Sequence, residues 1–114
     1  MRATQGRYRN MPLDAETRKR LRGIGHRLHP VVTVAGNGLS DAVLAEADRA
    51  LREHELVKVR FSIADRDERR STAQAFCAQL GAESVQEIGK VLLAYRENPA
   101  ADPRLSNVRS APES

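Results

Sequence analysis

From Leu56 to Ile63 the chain reads LVKVRFSI, and this stretch leaves little freedom in what it can become. Val57, Val59, Phe61 and Ile63 alternate with Lys58, Arg60 and Ser62. Successive side chains of a strand point to opposite faces, so the segment has one apolar face and one polar, basic face. Its branched and aromatic residues favour pleated backbone. The apolar face demands helices packed on it, and the opposite face is expected to be wetter and positively charged.

The flanking sequence supplies those helices. Leu13, Thr17, Leu21, Ile24 and Leu28 recur at helical steps, which predicts a helix from Asp14 to Leu28. Gly23 and Gly25 weaken it, and Pro30 closes the segment because the residue before a proline avoids helical backbone. Lys19 and His26 lie opposite the apolar stripe, with Arg18 and Arg22 beside them and Arg20 and Arg27 on the flank. Val31 to Ala35 reads as a buried strand and Gly36-Asn37-Gly38 as a turn. Ser40 is the expected N-cap of a second helix that turns Val43, Leu44, Ala47, Ala50 and Leu51 inward. Asp65, with Glu68 three residues on, opens a third helix that buries Ala73, Phe76, Cys77 and Leu80 and stops at Gly81. Val85 to Ile88 and Val91 to Tyr95 form a hairpin across Gly89-Lys90. The order α-β-α-β-α-β-β predicts one compact α/β domain, a four-stranded mixed sheet with helices packed on it. The first three strands run mostly parallel and the last is antiparallel beside its neighbour. Residues 1–12 read as a basic flexible arm and 13–96 as the folded unit. Residues 97–114 read as a disordered tail, with three of the five prolines and few large apolar residues.

Charge is unevenly spread. Residues 1–30 hold eight Lys or Arg and two acids, whereas the rest hold eleven and thirteen. A basic block becomes a footprint for a polyanion when the charges share one side of a rigid element. Cys77 is the only cysteine, so no intrachain disulfide is expected, which fits a cytoplasmic setting. No apolar run reaches membrane-spanning length, and MRATQGRYRN lacks the apolar core of a secretory signal. The three histidines and one cysteine have no zinc-like spacing, and Asp65, Asp67 and Glu68 read as helix-start residues. The glycine turn lacks the Lys-Ser/Thr ending of a P-loop and the spaced glycines of a dinucleotide site. No catalytic residue, cofactor or metal is therefore expected. A strand, a glycine turn and a helix start still make a phosphate cradle, because small residues admit a polymer backbone to exposed N–H groups. Arg18, Lys19, Arg22 and Arg27 offer a first cationic patch, and Lys58 and Arg60 a second.

The run LRGIGHRLHPVVTVAGNGLSDAVLAEADRALREHELVKVRF, followed by GAESVQEIGKVLLAYR, resembles the CRM domain (chloroplast RNA splicing and ribosome maturation). More narrowly, it is similar to the single-domain bacterial YhbY-like proteins. The likeness rests on the His26 to Pro30 helix end, the glycine loop, the strand entry from His54 to Val59 and the hairpin from Gly89 to Tyr95-Arg96. It spans Leu13 to Arg96. The resemblance implies an RNA-binding fold akin to the C-terminal domain of a bacterial translation initiation factor, and association with precursors of the large ribosomal subunit. It also implies a GxxG loop that clamps RNA backbone as in KH domains. Here the aligned loop is Ala35-Gly36-Asn37-Gly38, with Ala35 at the usual first glycine, and His29 stands where the family commonly carries a lysine. Alanine is strained if that position needs positive φ, in which case Gly36 takes over the role.

These readings combine into an expected non-catalytic RNA-binding protein without a membrane partner, its oligomeric state open with a monomer favoured, that binds ribosomal RNA and assists 50S assembly. The residues expected to touch RNA are Arg18, Lys19, Arg22, His26, Arg27, Gly36, Asn37, Gly38, Lys58 and Arg60. Of the aromatics Tyr8, Phe61, Phe76 and Tyr95, the two phenylalanines read as core, which leaves no paired stacking platform and predicts recognition of RNA shape and backbone. The alternatives are a small enzyme holding a phosphorylated metabolite at the strand–helix loop, and a protein-docking module using the acidic outer side of the second helix.

Overall fold

The computed structural model describes residues 13–36 and 38–110, so the expected basic arm at 1–12 lies outside the described residues. Asp14 accepts a 2.7 Å hydrogen bond from the Thr17 N–H and opens helix α1, Ala15–Gly25. The helix stops three residues before the expected Leu28. The N–H groups of Arg27 and Leu28 turn back to the carbonyls of Ile24 and Gly25, in the tighter pattern that unwinds a helix end. Strand β1 is Pro30–Val34, α2 is Asp41–His54, β2 is Leu56–Phe61, α3 is Arg66–Leu80, β3 is Glu83–Ile88 and β4 is Val91–Tyr95. Ser40 and Asp65 cap α2 and α3 as their sequence positions predict, accepting from the Val43 and Glu68 N–H groups.

The sheet order is β1-β2-β4-β3. β1 and β2 are parallel and joined through α2, while β4 is antiparallel to both its neighbours. The first three strands therefore point the same way, and the hairpin returns β4 between β2 and β3. Alternation along the strands divides the interior into two cores. On one face Val57, Val59, Phe61, Leu92 and Ala94 pack against Ala47 and Leu51 of α2 and Ala73, Phe76 and Leu80 of α3. The Phe61 and Phe76 rings meet edge to face at 5.6 Å, a favoured aromatic geometry. On the other face Leu56, Val85 and Leu93 pack against α1, through Leu21 and the flanking Leu13, Ile24 and Leu28, with Tyr95 and Val108 at the margin. Two helices cover one face, and one short helix covers part of the other.

Gly25 makes the α1 contact possible. A methyl group there would sit 2.6 Å from Leu93 Cδ2 in a buried position, whereas one on Gly23 would meet nothing within 4 Å. The helix weakness that both glycines bring to the sequence is thus a packing requirement at Gly25 alone.

The segment beyond β4 differs from the sequence expectation. Residues 97–110, expected to be a disordered tail, lie against the domain as a strap gathered around Glu55. That carboxylate is 1% exposed. It accepts from the Asn98 N–H at 2.6 Å, Ser106 Oγ at 2.7 Å, and Arg109 Nε and Nη2 at 2.7 and 3.2 Å. His54 Nδ1 donates to the Leu105 carbonyl, Asn107 Nδ2 to the Leu56 carbonyl, and Val108 joins the α1 core. Composition misleads here because the strap is held by hydrogen bonds to one buried acid more than by apolar area. Glu55 is also the only described non-glycine residue with positive φ, 62°, a conformation that costs about 1–3 kcal/mol and persists only where surroundings impose it. Arg96, also buried, ties the hairpin end to α2 and α3 through the Asp48 carboxylate and the Leu80 carbonyl, each at 2.9 Å.

Two stability outcomes follow. Gly25→Ala should lower the melting temperature, since about 1–3 kcal/mol of overpacking outweighs the helix propensity gained, whereas Gly23→Ala should raise stability by about 0.5–1 kcal/mol. Thermal unfolding of the two variants checks this contrast. Burial pushes the Glu55 carboxyl up, but the bonds from Arg109, Asn98 and Ser106 outweigh it and hold the group below its ordinary 4.5. A folded-state value below the unfolded one gives stability that is present above pH 4.5 and lost as pH falls through the folded value. Glu55→Gln should therefore cost about 1–3 kcal/mol at pH 7 and show a shallower loss of stability than the parent protein on acidification below that point.

Candidate nucleic-acid interface

The glycine turn follows β1 at the Phe61 end of the sheet, since Val34 pairs with Phe61 and its carbonyl accepts from the Ser62 N–H at 2.8 Å. The Gly38 N–H donates to the Ala35 carbonyl at 2.9 Å and closes the turn, and the Ser40 N–H donates to the Gly38 carbonyl at 3.1 Å. Ala35 and Gly36 are exposed. A methyl group on Gly36 or Gly38 would touch nothing within 4 Å, so the bend is open to solvent. The strain expected at Ala35 does not arise, nor does Gly36 replace it: the left-handed position is Gly38, with φ 84°. Asn37 lies outside the described residues. The N–H groups of Asp41 and Ala42, in the first turn of α2, have no intrahelical acceptor and point out of the helix start. Asp41 itself places a carboxylate there, which favours the helix dipole and opposes an incoming anion.

The expected basic patches are rearranged by packing. Arg18 Nη1 donates to the Ser84 and Val85 carbonyls of β3, at 2.8 and 2.9 Å, so this guanidinium is first of all a brace between α1 and the sheet. Arg20 Nη2 reaches the Val108 carbonyl of the strap at 3.3 Å. Lys19, His26 and Arg27 are exposed, and Arg22 is half-buried. Lys58 and Arg60 alternate with the buried Val57, Val59 and Phe61, which puts them on the α1 side of β2, beyond the end of that short helix. A cleft of about 360 Å³ opens there. It is lined by the apolar Leu28, Pro30, Ile88, Val91 and Leu93 and by His26, His29, Lys58, Arg60 and Gln86, and among the described residues no carboxylate lines it. Lys58 lies beside Pro30 and Leu93, and Arg60 beside Thr33 and Val91. The structure thus brings Lys58, Arg60 and His26 together. The glycine turn begins two residues beyond Thr33, about 7 Å further along the strand direction.

Sequence reasoning did not single out Gln86, Ile88 or Val91, because only the strand order brings the hairpin beside β2. A second cavity, of about 230 Å³, is lined by Arg66, Arg69, Arg70, Glu87 and Gly89, where Arg69 Nη1 is bonded to the Ile63 and Ala64 carbonyls. Among the described residues no group of three or more His, Cys, Asp or Glu is placed to hold a metal ion. Burial, reinforced by Glu83 and Glu87, pushes the Cys77 thiol up to about 11, so it is protonated and a poor nucleophile at neutral pH. No described helix is long and apolar enough to cross a membrane.

The open glycine turn, the exposed cations and the partly covered sheet face belong to one small α/β domain. The chain belongs to the CRS1/YhbY (CRM) domain family, whose model matches residues 13–96. It is 49% identical over 98 residues to a Pseudomonas aeruginosa protein named "probable RNA-binding protein", an alignment covering 86% of this chain and 94% of that one. It is 40% identical over 89 residues to a Haemophilus influenzae protein named "RNA-binding protein", covering 78% and 90%. The solution structure of a Staphylococcus aureus protein superposes with a TM-score of 0.70 at 24% identity, covering 80% of this chain and 95% of the other, and so shares the fold.

Arg18→Gln should destabilise the domain by about 1–2 kcal/mol, because it removes charged hydrogen bonds to two sheet carbonyls. Lys19→Gln should stay within about 0.5 kcal/mol of the parent protein. Urea unfolding of both variants tests the brace.

Proposed function

We propose that this protein is a non-catalytic RNA-binding protein of the cytoplasm that binds ribosomal RNA and assists assembly of the large, 50S ribosomal subunit. The observation that carries the reading is the carboxylate-free cleft with Lys58, Arg60 and His26 on a sheet face whose edge leads into the open glycine turn. The names of the Pseudomonas and Haemophilus relatives support RNA as the partner. In this reading the open turn at Gly36, Asn37 and Gly38 admits the RNA backbone to the N–H groups of Asp41 and Ala42 at the start of α2, which no helix carbonyl engages. Lys58 and Arg60, with Lys19, Arg22 and Arg27 on α1, replace counterions along the strand. Arg18 contributes by holding α1 on the sheet. Such contacts position an RNA more than they read its sequence. The protein aids assembly by favouring the RNA conformation it binds better, and needs no reaction to do so.

Changing Lys58 and Arg60 together to glutamine should weaken binding to large-subunit ribosomal RNA and lower the slope of log affinity against log salt by about two, one for each lost phosphate contact, with the melting temperature unchanged. An unaltered slope removes the sheet face from the interface. For the assembly role, tagged protein should sediment with pre-50S particles from lysate at low salt and leave them at high salt; recovery only as free protein under both conditions contradicts it.

A further inference from the structure

A duplex has little use for the cleft beyond α1. Its bases are stacked inside, and it offers a protein only phosphates, sugars and groove edges. The cleft combines apolar with cationic and amide lining, and its 360 Å³ lies at the lower end of the range of about 300–1,000 Å³ typical of small-ligand sites. Backbone binding alone does not call for the apolar part of that lining. Ile88, one of its lining residues, is 65% exposed although it is a large apolar side chain. The lining carries two imidazoles, an ammonium and a guanidinium with no acid among them, so it complements an anion attached to something flat and partly apolar.

We infer that the cleft between the end of α1 and the β3–β4 hairpin houses one unstacked base of single-stranded RNA. The inference rests on the RNA-binding reading and adds to it a site that meets the base as well as the backbone. Imidazole planes stack on bases, a role open to His26 and His29 in a chain whose two phenylalanines are both in the core. Gln86 has an amide with both donors and an acceptor, which suits the paired donor and acceptor edge of a base. Lys58, as a point charge, takes the phosphate. The base lies on Leu28, Val91 and Ile88, and the strand leads on toward the glycine turn.

Titration of the full-length protein, followed by amide NMR, with four probes tests this: an adenosine hexamer, an abasic ribose-phosphate strand of equal length, a fully paired RNA hairpin and adenosine monophosphate. The hexamer should bind about tenfold more tightly than the abasic strand, in line with the energy of stacking one base on a protein side chain. Amides of Gln86, Ile88 and Val91 should shift with the hexamer and not with the abasic strand. Gln86→Ala should weaken the hexamer and leave the hairpin unchanged. Equal affinity for the hexamer and abasic strands, or base-dependent shifts confined to the glycine turn, overturns the base site while leaving RNA binding in place. Tighter binding of the mononucleotide than of the hexamer also overturns it, in favour of a free-nucleotide site. If neither these probes nor large-subunit ribosomal RNA bind, the RNA-binding reading fails with it.

Discussion

Gly25 lies so close to Leu93 that over one turn only the leucine side chain separates α1 from the sheet. That approach seats the helix over Leu56, Val85 and Leu93, and the helix then ends. Two residues of tighter turn and the proline that starts β1 bring the chain away before it can cover the Phe61 end of the same face. The strict alternation of β2 does the rest. Its apolar residues meet α2 and α3, so Lys58 and Arg60 emerge on the side where the covering helix has stopped. A charged pair on a fully covered sheet would have to be desolvated at a cost of several kcal/mol per ion, and here that cost is avoided by leaving the face open.

The two ends of the sheet are built for different tasks. At the Leu56 end, the buried Glu55 collects Asn98, Ser106 and Arg109, while Arg96 ties β4 to α2 and α3. These bonds convert the C-terminal strap into part of the fold and place a strained backbone residue where its carboxylate is most useful. At the Phe61 end lie the glycine turn after Val34, the Gly89-Lys90 turn whose Lys90 carbonyl accepts from the Phe61 N–H, and the mouth of the cleft. There the turns are closed by their own backbone bonds, and Arg60 on the sheet face stays exposed.

Much of this was legible in the sequence because periodicity is local. The seven elements, the Ser40 and Asp65 caps and the two-faced character of β2 follow from residues a few positions apart. The family, and with it the fold, could be recognised from linked motifs along one line. What the sequence does not display is what depends on non-local register. Arg18 has the spacing of a solvent-facing cation, yet β3 brings two carbonyls to it. Gln86 and Ile88 become neighbours of Lys58 and Arg60 only because β4 inserts between β2 and β3. Residues 97–110 have the composition of a tail, and nothing local announces that one buried glutamate 40 or more positions earlier will order them. Ala35 shows the converse case: the family comparison marks a missing glycine, and the actual turn places its left-handed residue at Gly38.

The central claim is positional: RNA lies against the α1 side of the sheet at its Phe61 end. Ultraviolet cross-linking of the protein to large-subunit ribosomal RNA, with the joined peptides mapped by mass spectrometry, addresses this directly. Cross-links should concentrate in the glycine turn at 35–38, in the β2 peptide containing Lys58 and Arg60, and around the β3–β4 hairpin. Cross-links confined to the outer surfaces of α2 and α3, with the sheet face untouched, would contradict the account.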